Sequence, residues 1–423
     1  MKDILLNTPE GVRDIYNYEC AAKLSLQNKL HKVLKSYGYV DIQTPTFEFF
    51  DIFSEERGTV PSKDMYKFVD RDGNTLVLRH DITPSIARCV AKYYKEEHLP
   101  IRLSYIGNTF VNNSSYQGKL KEVTQLGSEL MNDDSVEADA EMIALTIKCL
   151  LKSGLTDFQV EIGYADFFRA IVEEAGFDKD LEVIKLRQLI QSKNRFGVEE
   201  LIKSKNIKNE LKEIFLKLPE LFGTIDILLS AKKTTNNPRA IKAIQRLENL
   251  FIILKEYGYE KYISFDLGML SKYNYYTGII FKAYTYGTGE AIATGGRYDR
   301  LVAQYGKEAP AIGTAIVIDQ LMFALSRQKL NEQFSNEDTM ILYQRNYREQ
   351  AISLAEHFRK DGLNIVLQLS KDKSIEEYIQ YAKRMNMGGI LYIRDDNEIQ
   401  VINTSTGDVQ IAFLNDLIGG GMM

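Results

Sequence analysis

Strand-like segments stand on both sides of a long Lys- and Glu-rich helical stretch, about residues 166–258, so any sheet in this chain is assembled from pieces far apart in sequence. On the N-terminal side, Leu24, Leu26, Leu30, Val33 and Leu34 recur at helical spacing and stop at Gly38, which predicts a helix over about 17–36. Short segments bounded by turn residues follow: 39–44, 76–78, 101–111 and 122–131. A second helix is expected from Ser135 to Lys152 and a strand over 158–162. After the helical stretch, strand signals return at 275–284, 291–294 and 311–318. This interrupted pattern reads as an α+β fold, a largely antiparallel sheet with flanking helices and a helical insertion, occupying residues 1–325. A polar linker over 326–338 leads to strands and helices that alternate from 340 to 393, the pattern of a small α/β domain over 339–423. The glycine-rich tail from Gly419 is expected to be flexible.

Composition removes several classes of function. Net charge is −5, so nucleic acid binding has to be argued from a local basic patch. Three cysteines, Cys20, Cys89 and Cys149, match neither a disulfide framework nor CxxC metal spacing. The four histidines, His31, His80, His98 and His357, also lack ligand spacing, and no metal or other cofactor is expected. No apolar run approaches a membrane span, and the N-terminal apolar run is too short for a signal peptide; a cytoplasmic protein with no membrane partner is expected.

Six runs occur in a fixed order: Thr8 to Asp14 (TPEGVRD), Gly38 to Glu48 (GYVDIQTPTFE), Met65-Tyr66 with Leu78-Arg79, Gln125 to Glu129 (QLGSE), Tyr275 to Gly278 (YYTG) and Gly295 to Asp299 (GGRYD). Together they resemble the histidyl-tRNA synthetase lineage of class II aminoacyl-tRNA synthetases, strongly over about residues 1–325 and weakly beyond. The resemblance implies a catalytic-type domain with an antiparallel sheet of six or seven strands, dimeric through the segment containing Pro45.

Amino-acid activation places developing charge on the α-phosphate of ATP, and planar arginines suit that charge. Where the resemblance calls for an arginine and a glutamate after the motif-2 phenylalanine, this chain has Phe110-Val111-Asn112-Asn113. Gln320 takes the place of the third-motif arginine, and Ser271 that of an arginine four residues before the Tyr275-Tyr276 pair. Each lost clamp removes about 3–4 kcal/mol of transition-state stabilisation. The amino-acid half is retained: Asp81, Thr83, Gln125, Glu129, Tyr275 and Tyr276 match positions that line the histidine pocket of that lineage. Carboxylates suit the ligand ammonium, and Glu129 with Tyr276 suits the imidazole nitrogens. Taken singly, the tyrosines read equally as strand core and Glu129 as a backbone cap. Gly295, Gly296 and Arg297 border the pocket in the lineage, although Arg297 serves equally to pair with Asp299 or another carboxylate. The GGRYD run lacks the context of a dinucleotide loop.

A synthetase fold with a histidine pocket and no phosphate clamps is similar to the family of ATP phosphoribosyltransferase regulatory subunits. That resemblance implies no catalytic residues, a short-form catalytic ATP phosphoribosyltransferase as partner, histidine as ligand, and a homodimer within a hetero-oligomer. The competing readings are an authentic histidyl-tRNA synthetase and a free-standing histidine sensor or scaffold. Residues 337–423 carry nine Lys and Arg against thirteen Asp and Glu, a balance that disfavours tRNA.

Overall fold

The computed structural model describes residues 4–54, 60–113, 119–177, 180–203, 207–269, 275–330, 338–395 and 397–419. The chain forms two compact units, Met1–Asn331 and Glu332–Met423. Much of the expected linker and the end of the tail lie outside the described residues, while Ser326 and Arg327 close a helix, Ile318–Arg327.

The first unit is organised by a nine-stranded sheet. Its centre is six strands, each antiparallel to the next, in the order Ile101–Phe110, Glu122–Met131, Ala311–Val317, Ala293–Arg297, Ile279–Tyr284 and Gln159–Tyr164. Short edge strands extend it: Val40–Asp41 on one side, and Ile263–Asp266 followed by Phe222–Gly223 on the other. The expected strand over 39–44 is therefore only two residues long. Ile263–Asp266 gave no alternating signal because all four of its residues are buried. Among the described residues, the regular structure of the stretch 166–258 is helical except at Phe222–Gly223, and its buried apolar residues join the same core as the sheet.

One face of the sheet packs against helices. Leu126, Leu130, Ile312, Ile316, Phe281 and Ile162 meet apolar residues of the helices Asn17–Ser36, Val136–Lys152 and Pro238–Glu256. Ser135 caps the second of these by accepting from the Ala138 N–H at 3.1 Å, and Asn237 caps the third. Asp139, fully buried in the first turn of Val136–Lys152, accepts from Arg297 Nε and Arg246 Nε, both at 2.7 Å. Arg297 also reaches Asp299 and the Asp133 carbonyl. Replacing Asp139 with Ala leaves the buried Arg297 with only the partly exposed Asp299 as counter-charge, and chemical denaturation should show a loss of up to about 3–5 kcal/mol.

The opposite face carries a smaller cluster that includes Ile82, Ile86, Leu103, Tyr105, Tyr275, Tyr298 and Leu301. Beside it, the strands Phe47–Phe49, Thr75–Leu78 and Lys67–Val69 form a three-stranded sheet. Arg79 ties the two sheets, donating to the Thr44 and Asn108 carbonyls at 2.8 Å each.

In the second unit a five-stranded sheet is parallel across Ile365–Leu369, Thr339–Tyr343 and Gly389–Ile393, then antiparallel through Glu398–Asn403 and Val409–Phe413. Alternate residues feed different layers: Ile341 packs with Ala351 and Leu354, whereas Met340 and Leu342 pack with Tyr378 and Ala382. The last two strands and the helix Leu414–Gly419 add to the pattern legible in sequence.

Candidate functional site

Alternation along Glu122–Met131 places Gln125, Gly127 and Glu129 on the sheet face away from the helix layer. Tyr105 stands opposite Gly127, Gly313 opposite Glu129, and Gly296 opposite Gly313. These glycines are required by side chains lying across them. A Cβ at Gly313 would fall 1.7 Å from Glu129 Oε2, one at Gly127 would fall 2.4 Å from the Tyr105 hydroxyl, and one at Gly296 would fall 2.8 Å from the Tyr276 ring.

Glu129 is 1% exposed. Its Oε1 accepts from Thr83 Oγ1 at 2.7 Å, and its Oε2 accepts from the Tyr298 hydroxyl. Asp81 accepts from the Tyr275 hydroxyl at 2.8 Å and from the Thr83 N–H at 3.2 Å. The rings of Tyr275 and Tyr276 are 4.8 Å apart, and those of Tyr275 and Tyr298 are 5.9 Å apart. Both tyrosines of the pair precede the strand Ile279–Tyr284, in the turn that leads into it. Gln125 completes the set: its amide oxygen is buried and has no hydrogen-bond partner among the described residues. An unsatisfied buried acceptor is costly until a ligand donates to it.

Burial, the largest effect, raises the Glu129 carboxyl to about 8, and the neighbouring Asp81 charge adds to it. Burial also raises Asp81 and pushes the Tyr276 and Tyr298 hydroxyls up. In these surroundings Glu129 is held protonated at neutral pH. Between the ordinary carboxyl value and about 8, the folded chain binds a proton that the unfolded chain has released. Stability therefore falls as pH rises through that window, by at most about 1.4 kcal/mol per pH unit from this group. Glu129→Gln, a neutral isostere, should flatten that part of the pH profile in thermal unfolding.

The site thus brings together Asp81, Thr83, Gln125, Glu129, Tyr275 and Tyr276. Tyr298, contained in the GGRYD run, belongs with them as a direct partner of Glu129, and Tyr105 lies on the same face across Gly127. Gly296 lies on the pocket face. Gly295 does not, since a Cβ there would meet the Phe281 ring at 2.3 Å on the helix-layer side. Arg297 is likewise turned to the helices, where Asp139 and Asp299 hold it. His80 is packed edge-on to Phe53 at 4.8 Å, and no group of metal-ligating side chains occurs among the described residues.

At the phosphate end, Val111 is a half-buried residue whose N–H bonds the Lys121 carbonyl. Gln320 donates to Glu290 at 3.4 Å, and Glu290 pairs with Lys119 at 2.6 Å. The side chain at the position of the third-motif arginine is therefore neutral, and the carboxylate beside it is already paired with a lysine. Asp319, the acid before it, is buried and spends its oxygens on Lys23 and the Thr124 N–H, at 2.8 and 2.7 Å. Ser271 lies outside the described residues.

Comparison with known proteins bears on the family and the fold. The histidyl-tRNA synthetase family profile matches residues 11–321. An ATP phosphoribosyltransferase regulatory subunit of Acetivibrio thermocellus is 41% identical, over 99% of this chain and all of its own length. One of Ruminiclostridium cellulolyticum is 41% identical over 93% and 94% of the two chains. Among solved structures, one from Bacillus halodurans described as an ATP phosphoribosyltransferase regulatory subunit/histidyl-tRNA synthetase aligns with a TM-score of 0.82 at 30% identity, covering 93% of this chain and 99% of its own. Histidyl-tRNA synthetase from Nostoc has a TM-score of 0.80 at 18% identity over 97% of each chain, which shows the shared fold. With a family profile over most of its length and 41% identity to a relative matched nearly end to end, the chain belongs to the family of ATP phosphoribosyltransferase regulatory subunits.

Proposed function

We propose that this chain is a non-catalytic, cytoplasmic subunit that binds histidine and uses it to govern a short-form catalytic ATP phosphoribosyltransferase in the first step of histidine biosynthesis. The observation that carries the reading is the contrast within one site. The Asp81, Thr83, Gln125, Glu129 and Tyr275 network is assembled and holds an unsatisfied acceptor, while Gln320 faces the carboxylate of Glu290 at the phosphate end. Calorimetry with histidine tests it. Glu129→Ala or Tyr276→Phe should each weaken binding by about 1–3 kcal/mol, the cost of an unsatisfied buried partner. Unchanged affinity in both variants places histidine elsewhere.

A homodimer through the Pro45 segment is part of the same proposal, supported by an apolar surface there. Phe47 and Phe49 share one side of their strand and are 52% and 56% exposed, and Phe47 meets Phe68 edge-on at 5.7 Å. Val40 and Val69 are exposed as well. Contiguous apolar patches of this kind mark association surfaces. Replacing both Phe47 and Phe49 with Asp should convert the dimer to a monomer in light scattering, leaving thermal unfolding of the monomer cooperative.

A further inference from the structure

The pocket offers carboxyl and amide groups to the ammonium and imidazole of an amino acid; an arginine on the α-phosphate also stands beside the amino-acid carboxylate that attacks it, so with valine at 111 that carboxylate needs another cation. The helix Ala165–Glu174 brings one to the pocket. Ala165 is buried with Met269 and Ile280 against Tyr276. Ile280 pairs with Gly296, which puts this contact on the pocket face of the sheet. One turn on, along the same side of the helix, Arg169 donates from Nη2 to the Tyr276 carbonyl.

Arg169 makes no ion pair among the described residues, because the nearby acids are taken: Arg239 binds both Asp166 and Glu173. A second guanidinium, that of Arg187, sits 5.8 Å from the ring centre of the adjoining Phe168. Burial holds both arginines below their usual range, and Arg169 adds to the effect on Arg187. Arg169, half-buried at the Tyr276 backbone with a second guanidinium near it, is a cation that a carboxylate would stabilise.

We propose that Arg169, with Arg187 beside it, is the carboxylate-binding site for an α-amino acid held in the Tyr275/Tyr276 pocket, drawn from the helical insertion and replacing the arginine absent at position 111. The proposal rests on the histidine-pocket reading. Calorimetry on the full-length chain, alone and with its catalytic partner, compares L-histidine with L-histidinol, which has a hydroxymethyl group in place of the carboxylate. Wild type should prefer histidine by roughly tenfold to a hundredfold, the range of a charge-assisted pair. Arg169→Gln and Arg187→Gln should each erode that preference by lowering histidine affinity while leaving histidinol affinity unchanged, and Arg169→Lys should restore part of it. A preference that survives in both glutamine variants overturns the proposal. So does an equal loss for both ligands in Arg169→Gln, because that outcome assigns Arg169 only to holding the Tyr276 backbone. Wild type that binds neither ligand in either setting overturns the pocket reading and this site with it, whereas histidine binding indifferent to Arg169 and Arg187 overturns this site alone.

Discussion

Purified protein supplied with histidine, ATP and labelled pyrophosphate should show no histidine-dependent exchange above a no-enzyme control, and no charging of tRNA. The expectation follows from charge. Adenylate formation needs guanidinium groups fixed around the α-phosphate before the reaction, and Val111 and Gln320 withdraw two of them. At about 3–4 kcal/mol each, their joint loss is of order 10⁴–10⁶ in rate. Val111→Arg alone should therefore restore nothing measurable. Exchange in a preparation free of host synthetase would overturn the non-catalytic reading and favour an authentic synthetase.

The helices Val136–Lys152 and Ile375–Arg384 and the strands Glu122–Met131 and Ile365–Leu369 were legible because each couples a clean period to a stop signal or cap, as where Ser374 and Glu377 close a capping box. Ile263–Asp266 escaped because a strand buried on every side has no polar alternation to read. The pocket was legible as a set of residue types, but its wiring was not. That Thr83 and Tyr298 divide the two oxygens of Glu129 depends on how the helix Thr83–Tyr93 and the segment after Ala293–Arg297 meet the strand Glu122–Met131, which is a property of the assembled fold. Arg297 shows the same limit in reverse. The GGRYD run left it open between the pocket border and a structural carboxylate, and one step of alternation from Gly296 turns it to Asp139 on the other face, with Asp299 as a second partner.

Co-expressed with a short-form ATP phosphoribosyltransferase, this chain should elute with it as one hetero-oligomer, raise its phosphoribosyl-ATP formation, and make that activity sensitive to histidine. A pocket that binds an amino acid without the means to activate it has no chemical output, so its occupancy must be read through a change in affinity or conformation transmitted to a partner. Linkage then fixes the sign. If histidine inhibits, the inhibited assembly must bind histidine more tightly than the active one, by about 1–3 kcal/mol for ordinary coupling, and histidine titrated against active and inhibited complexes should show that difference. Glu129→Ala should uncouple the two effects, keeping the complex and its basal activation while shifting histidine inhibition to concentrations roughly tenfold to a hundredfold higher. Separate elution, together with a catalytic subunit fully active and histidine-sensitive on its own, would defeat the regulatory role and leave a free-standing histidine sensor as the reading of this site.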